Sequence, residues 1–374
     1  MTGAWWEYTG IFVASALLCL VLTPVAIAAA TRAGVFDEPG GHKSHISPVP
    51  YLGGLAIVLA FAASVAGAAL LDPPESGQGE LVAVLVLAVG LGVVGLADDL
   101  WNLSPAIRLL AEVLCAVQLW RMDVGITLTG EEFVDVLLTV LWVVGITNAF
   151  NLLDNMDGLA AGQAAICSVA VFVIAASNGQ FLVAALAVSL AGCASGFLHH
   201  NFHPARVYMG DGGALFLGFL ISYLCIKLRF ADSVSGAYLV PVVICVLPIT
   251  DTSLVTLSRM AAGRSPFQGG QDHISHRMVR SGIPVPVSVG LTYFASASAG
   301  VLAFVISRVD RFSGLMVTGL VATTAVAAAC LLALVPVYPE SRRRHYVIND
   351  REEPDVPPVG PPDPDRFGHP YDGP

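Results

Sequence analysis

Repeated runs of about twenty apolar residues constrain this chain more than any other feature. The hydrocarbon core of a bilayer takes ~17–25 residues of α-helix to cross. Such runs occupy residues 10–30, 51–71, 81–97, 105–120, 134–150, 158–177, 181–198, 213–230, 238–257, 287–307 and 314–336. The expected fold is therefore an all-α polytopic membrane protein with about eleven transmembrane helices. The fourth run is the weakest, because Arg108, Glu112 and Gln118 interrupt it. Pro24, Pro241 and Pro248 mark places where a membrane helix can kink.

Composition narrows the class further. Apolar residues make up 55% of the 374 and charged residues only 12%, about half the ~25% of a soluble domain. So few charges cannot build a solvated shell, which excludes a soluble globular protein and a secreted disulfide scaffold. The net charge of −10 excludes a nucleic-acid partner, because phosphate backbones demand a basic surface. Cysteines at 19, 115, 167, 193, 225, 245 and 330 lie far apart in apolar runs with no CxxC pair. Each is expected as a small buried hydrophobe. The first run has full spanning length and no basic segment before it, which predicts a retained span rather than a cleaved leader. Residues 339–374 are rich in Pro, Asp and Gly and cannot bury enough apolar surface to fold. They are expected as a disordered cytoplasmic tail after a transmembrane domain of residues 1–338.

Lysines and arginines orient the spans, since cytoplasmic loops carry the excess. With the N-terminus outside, twelve of the eighteen fall in cytoplasmic segments and five outside. The expected topology is N-terminus out and C-terminus cytoplasmic, anchored by the arginines at 342, 343 and 344. Trp5, Trp6 and Tyr8 suit an interfacial anchor. No convincing internal repeat appears, which weakens an inverted-repeat transporter architecture.

In this topology the acids fall on one side, the cytoplasmic one. Asp98 and Asp99 end the third span, and Asn148, Asn151, Asp154 and Asp157 surround the turn between the fifth and sixth. Asp211 precedes the eighth, Asp251 lies near the cytoplasmic end of the ninth, and His273 and His276 follow in the next loop. A lone carboxylate at a membrane boundary can snorkel to water. Adjacent carboxylates in GLADDL, and the cluster in NAFNLLDNMD, need more, because neighbouring acids raise one another's pKa unless a cation offsets them. A shared metal and polyanion site accounts for the pattern. Mg²⁺ takes carboxylate and amide oxygens together with substrate phosphates, and facing arginines and histidines suit phosphate. The GDGG turn at 210–213 and the Asp157, Gly158 pair each open a span. Free N–H groups at a helix start meet an anion there, or the Asp simply caps the helix. His199, His200 and His203 have a spacing that could bind zinc, and a basic patch at the headgroup boundary is the simpler account.

These blocks resemble the polyprenyl-phosphate N-acetylhexosamine-1-phosphate transferases, glycosyltransferase family 4, along nearly the whole membrane part. NAFNLLDNMDGLAAG is similar to the family's NxxNxxDGxDGLAAG. DEPGGHKSHISPVPYLGG resembles its first cytoplasmic loop, and GLADDLWNLSPAIRLL its DDxxxLxPxxK block. GFLHHNFHPARVYMGDGGALFLGF resembles NFxPAKxFMGDxGSLxLGF, and RMAAGRSPFQGGQDHISHRMVRSG its arginine and histidine loop. The resemblance implies transfer of a sugar 1-phosphate from a UDP-sugar to a polyprenyl phosphate in the cell membrane. The products are a polyprenyl-diphosphate sugar and UMP, and the step is the first membrane step of cell-wall or surface polysaccharide synthesis. The implied cofactor is Mg²⁺, with Mn²⁺ as a substitute, and the active site faces the cytoplasm. Asn151 and Asp211 would hold the metal. Asp98 and Asp99 would orient or deprotonate the acceptor phosphate, and Asp154 and Asp157 would bind substrate and organise the metal site. Lys43, His45, Arg108, Asn148, Arg264, His273 and His276 would contact phosphates or sugar. A homodimer is common among membrane enzymes of this kind.

The chain departs from the family pattern at several positions. Arg108 replaces Lys, Asn155 stands where the family has Gly, Ala214 replaces Ser, and HISH replaces HLHH, so Ser275 takes a histidine position. The missing triple histidine points away from the muramyl-pentapeptide branch and toward a UDP-N-acetylglucosamine-type donor. Rival readings are weaker. A transporter with a one-sided acidic site would place acids near midspan. An intramembrane aspartyl protease needs GxGD, and Tyr208 stands where its first Gly should be. A CDP-alcohol phosphotransferase needs DGxxAR, and Gly162 replaces its Arg.

Overall fold

The structure, a computed structural model, describes residues 3–37, 48–73, 77–230 and 237–338. Lys43 and His45 lie outside the described residues, and so does the expected tail of residues 339–374. One compact unit extends to Tyr338. Its helices are α1 (Trp5–Ala33), α2 (Gly53–Leu71), α3 (Gln78–Trp101), α4 (Pro105–Arg121), α5 (Glu132–Leu153), α6 (Leu159–Ser177), α7 (Phe181–Asn201) and α8 (Gly210–Lys227). They continue as α9 (Val240–Ile244), α10 (Val246–Ala261), α11 (Ile274–Arg280), α12 (Val285–Ile306) and α13 (Arg311–Ala333). A two-residue antiparallel pair, β1 (Phe36–Asp37) with β2 (Val49–Pro50), sets Phe36 opposite Pro50 and Asp37 opposite Val49.

Among the described residues, nine helices are long and apolar enough to cross a membrane. The two remaining expected spans fall on α4 and on α9 with α10. α4 has 17 residues and rises only ~26 Å at 1.5 Å per residue. The α9–α10 segment breaks at Cys245, three residues before Pro248. A proline has no N–H to give the carbonyl four residues back. Here that carbonyl belongs to Ile244, and the Cys167 thiol donates to it at 3.5 Å. Pro24, by contrast, sits inside an unbroken α1. Six cysteines are buried as expected, whereas Cys330 is exposed on α13. Tyr8 is also buried, with its ring edge against Phe172, while Trp5 and Trp6 are exposed.

α8 is buried along nearly its whole length and packs against α2, α3, α5, α6 and α7. Glycines permit the close approach. A Cβ on Gly95 would meet the Asp211 carbonyl carbon at 2.5 Å, and one on Gly54 would meet the Met209 carbonyl at 2.5 Å. Small residues that let backbones touch are how membrane helices gain packing contacts without a solvent drive. Because α8 occupies the centre, whatever its first turn carries sits amid the ends of its neighbours. At its other end, Lys227 pairs with Glu80 of α3 at 2.8 Å, and the Tyr223 hydroxyl donates to the same carboxylate at 2.8 Å.

Candidate active site

Four helix ends meet at the start of α8. Arg108, in the first turn of α4, bridges two carboxylates from different helices. Its Nη1 lies 2.7 Å from Asp98 Oδ2 and 2.5 Å from Asp211 Oδ2. Asn151, in the last turn of α5, donates to Asp211 Oδ1 at 2.7 Å. Both carboxylate oxygens of Asp211 are therefore engaged, by residues 103 and 60 positions further back in the chain. The turn and the helix ends bring together what the sequence separates.

Asp99 has a different position from its neighbour. It accepts the backbone N–H groups of Asp211 at 2.8 Å and Gly212 at 3.1 Å. The residue before α8, Met209, offers no side-chain cap, so a carboxylate from α3 satisfies two of the N–H groups that a helix start leaves open. Gly210 adopts φ +67, and any Cβ there would strike the Asp99 carboxylate. The first Gly of the GDGG turn is thus required by both conformation and space. Tyr51 also hydrogen-bonds Asp99. Burial, then the Asp99 and Asp211 charges, drive the Tyr51 hydroxyl far above its ordinary range. The segment around Tyr51 is laced to the approach of α8, with Tyr208 N–H on the Pro50 carbonyl at 2.9 Å, Gly53 N–H on Tyr208 at 3.0 Å and Gly54 N–H on Met209 at 2.9 Å.

Asn148 donates to Glu112, a fully buried acid whose other oxygen has no partner among the described residues. Glu112 follows Arg108 by four residues and Asn151 follows Asn148 by three, spacings that put each pair on one helix face. That signal was available in the sequence, where Glu112 read only as an interruption of an apolar run. Asp154, just beyond α5, has no side-chain hydrogen bond of this kind among the described residues. Burial, then the charges of Asp211, Asp99, Asp157 and Asp37, push its carboxyl up to about 8. Asp157 accepts from His203 Nδ1 at 2.8 Å and from the Ala205 N–H at 3.0 Å. Asn201 accepts the Gly158 N–H at 3.1 Å and donates to the Val207 carbonyl at 2.9 Å. The HHNFH stretch therefore wraps the DNMDG turn. His200 meets the Leu20 carbonyl at 3.1 Å, so the three histidines do not converge on one point.

The arginine and histidine loop forms a second cluster. His273 Nδ1 lies 2.7 Å from Asp251 Oδ2, whose other oxygen accepts the Ile274 N–H at 2.7 Å. Arg259 grips Asp272 with Nε and Nη2, each at 2.8 Å. Burial alone would raise the Asp272 carboxyl, but hydrogen bonds from Arg259 and Tyr338 outweigh it and hold the pKa at about 2. His276 is pushed down to about 4 by burial and by neighbouring His273. Arg277 donates to the carbonyls of Leu332, Ala333 and Val335 at the end of α13. Arg264 lies over the Tyr338 ring, 4.9 Å from its centroid. The structure thus joins Asp98, Asp99, Arg108, Asn151 and Asp211 directly, with Asn148 and Asp154 beside them. Arg264, His273 and His276 stand in the second cluster. A hydrogen bond from Ser275 Oγ to Asn155 Oδ1, 2.8 Å long, connects the two.

The charge balance bears on a cation. Asp98 and Asp211 share the Arg108 guanidinium, and the charge of Asp211 also acts on Asp99 and Asp154, so among the described residues four acids gather around one cation. Among the described residues, no three His, Cys, Asp or Glu side chains form a ready-made metal centre. Mg²⁺ does not need one, since it keeps waters and binds through one or two carboxylates plus substrate phosphates. The donor set is all oxygen, hard and in anionic excess, and it fits such an ion.

Comparison with known proteins gives the family. Residues 81–229 match the family model described as Glycosyl transferase family 4. The chain is 31% identical to the "Probable undecaprenyl-phosphate N-acetylglucosaminyl 1-phosphate transferase" of Bacillus subtilis (strain 168), over 82% of this chain and 87% of that protein. It is 30% identical to the decaprenyl-phosphate N-acetylglucosaminephosphotransferase of Mycolicibacterium smegmatis, over 82% of this chain and 83% of the relative. It is 31% identical to the phospho-N-acetylmuramoyl-pentapeptide-transferase of Moorella thermoacetica, over 69% of this chain and 89% of the relative.

Proposed function

The chain belongs to glycosyl transferase family 4, and from that membership we propose that this multi-pass membrane enzyme transfers a sugar 1-phosphate to a polyprenyl phosphate in cell-wall or surface polysaccharide synthesis. The donor is a UDP-sugar, and the sugar is N-acetylglucosamine. Two features favour that sugar over the muramyl pentapeptide. Relatives named for N-acetylglucosamine align over more of this chain, and the histidine loop reads HISH. The single observation that carries the reaction is the meeting of Asp98, Arg108, Asn151 and Asp211 at the start of α8.

An oxygen of the acceptor phosphate bonds to the β-phosphorus of the donor while the bond from that phosphorus to the bridging oxygen breaks, and UMP leaves. Such transfer depends mostly on positioning and charge neutralisation. Asn151 and Asp211 would hold Mg²⁺, which when bound would supply positive charge to the donor diphosphate. Arg108 supplies the positive charge for phosphate, and Asp98 orients its guanidinium. A lipid phosphate is already largely ionised near pH 7, so Asp98 is an orienting group rather than a base. Asp99 fixes the first turn of α8 and with it the direction of Asp211. Asp154 and Asp157 complete the acid turn. Lys43, His45, Asn148, Arg264, His273 and His276 serve substrate. The acid end faces the cytoplasm, where the nucleotide is.

Membranes incubated with UDP-N-acetylglucosamine and polyprenyl phosphate are expected to give a lipid-linked diphosphate sugar of the matching mass together with UMP. No lipid product from any UDP-sugar would refute the reading. Sidedness has its own check. Ser265→Cys is expected to label only from the cytoplasm and Thr129→Cys only from outside, both positions being exposed. Reversed labelling refutes the topology.

A further inference from the structure

Two of the positions where this chain departs from its family's pattern, Asn155 in place of Gly and Ser275 in place of His, are 120 residues apart and touch. Ser275 Oγ donates to Asn155 Oδ1 at 2.8 Å. The Asn155 amide is itself fixed, because its Nδ2 donates to the Leu152 carbonyl at 2.7 Å. Only one amide orientation satisfies both contacts. Ser275 is buried, with 1% of its surface exposed, and its carbonyl accepts from Ser288 Oγ of α12 at 3.2 Å. An unbroken series of hydrogen bonds therefore runs from the end of α5, through Asn155 and Ser275, to α12.

The position of this series matters more than its strength. Asn155 directly follows Asp154 and precedes Asp157 by two residues, and Ser275 lies between His273 and His276. The series spans the acid turn and the histidine loop, the two groups of residues to which the proposed function gives the substrate. With Gly at 155 there is no side chain to accept the bond. With His at 275 the side chain is larger and carries ring nitrogens in place of a hydroxyl. Neither single exchange reproduces the contact, so the two departures act as a unit.

We propose that Asn155 and Ser275 form a latch that sets the separation of the acid turn and the histidine loop and thereby determines which UDP-sugar this enzyme accepts. Both are positioning residues that act through Asp154 and the two histidines. The inference rests on the sugar-phosphate transfer reading above, and it adds a pair of residues that sets the choice of donor.

The test is a double-mutant cycle in membranes with Asn155→Gly, Ser275→Ala and the double variant. KM and kcat are read for UDP-N-acetylglucosamine and for its C4 epimer, UDP-N-acetylgalactosamine. Each single variant is expected to raise KM for the preferred donor by about fivefold, the worth of one ordinary hydrogen bond, and to narrow the preference between the epimers. The double variant is expected to be no worse than either single one, because the same bond is lost once. Where a variant turns over too slowly, the same comparison is made on the Kd of each UDP-sugar for the solubilised protein. Additive effects, or an unchanged epimer preference, overturn the latch. Failure of the parent enzyme to use any UDP-sugar overturns the transfer reading itself, so the two failures are distinct.

Discussion

α3 and α8 touch at both of their ends, and the two ends are built on opposite principles. At one, Glu80 meets Lys227 and the Tyr223 hydroxyl. Charge is balanced, each group has a partner, and the contact ties two helices together. At the other, Asp98 and Asp211 share the Arg108 guanidinium, with Asp99 and Asp154 close to Asp211 and no second Lys or Arg paired with these acids among the described residues. Anionic excess inside a protein is unfavourable, because burial penalises each charge and like charges repel. A structural anchor has no use for it, whereas a site that receives a cation together with a phosphorylated substrate does. The same pair of helices thus shows what a stabilising polar contact looks like and what a reserved one looks like.

The largest expected effect tests the reserved end. Asp211→Asn is expected to lower Mg²⁺-dependent UMP release by about a hundredfold or more, the scale seen when one group that stabilises transition-state charge is removed. Full activity with normal membrane insertion would break the contrast. Next comes the backbone contact beneath it. Gly95→Ala forces a Cβ against Asp211 and is expected to cost up to ~3 kcal/mol, the upper range for overpacking, while also slowing UMP release by shifting Asp211. Gly67→Ala in α2 has open space around it and is expected to leave both thermal stability and activity unchanged. Equal effects from the two would show that the crossing is not tight.

A pH titration of stability separates the histidine loop from both ends. His276 is held neutral in the fold, with its pKa down at about 4. Below the ordinary histidine range the unfolded chain takes up a proton that the native chain refuses. Stability is therefore lost as pH falls from about 6.5 to about 4, by roughly 3 kcal/mol at ~1.4 kcal/mol per pKa unit. Asp272 behaves differently. Its native pKa of about 2 adds stability that is present above the ordinary carboxylate range and disappears as pH drops from about 4 to about 2. His276→Gln is expected to flatten the upper part of the melting-temperature profile and leave the lower part. The smallest effect belongs to the balanced end. Glu80→Gln is expected to cost ~1 kcal/mol or less with UMP release unchanged, and a large loss of activity would erase the difference between the two ends.

Much of this was legible in the sequence because a bilayer imposes a simple rule. Each expected span falls on helical structure, since apolar runs of that length have no other way to satisfy their backbone in lipid. The two that fall short were marked in advance, the fourth by Arg108 and Glu112 and the ninth by Pro248. Asp98, Asp99, Asn151 and Asp211 read as one site because they cluster at span boundaries on a single side. Less legible was the division of labour among them. Adjacent Asp98 and Asp99 look equivalent in GLADDL, yet one faces Arg108 and the other caps α8, because successive residues on a helix point about 100° apart. The histidine loop read as a phosphate site, and two of its arginines, Arg259 and Arg277, are spent on Asp272 and on the end of α13. Partners 13 to 58 residues away in sequence leave no local pattern.

Sequence alone determined that the chain lies in a membrane, roughly where it crosses, and that its acids gather at the span boundaries. Those properties follow from hydropathy, charge and residue type, each readable one position at a time. Tertiary structure alone decided which acid meets Arg108 and which caps a helix. It also decided that Tyr51, Glu112 and His203 join the site, and that Asn155 meets Ser275. Hydrogen bonds and ion pairs form at about 3 Å, and whether two groups reach that distance depends on how α8 threads between its neighbours. Glycine contacts at Gly54 and Gly95 set that path, and no single span specifies it.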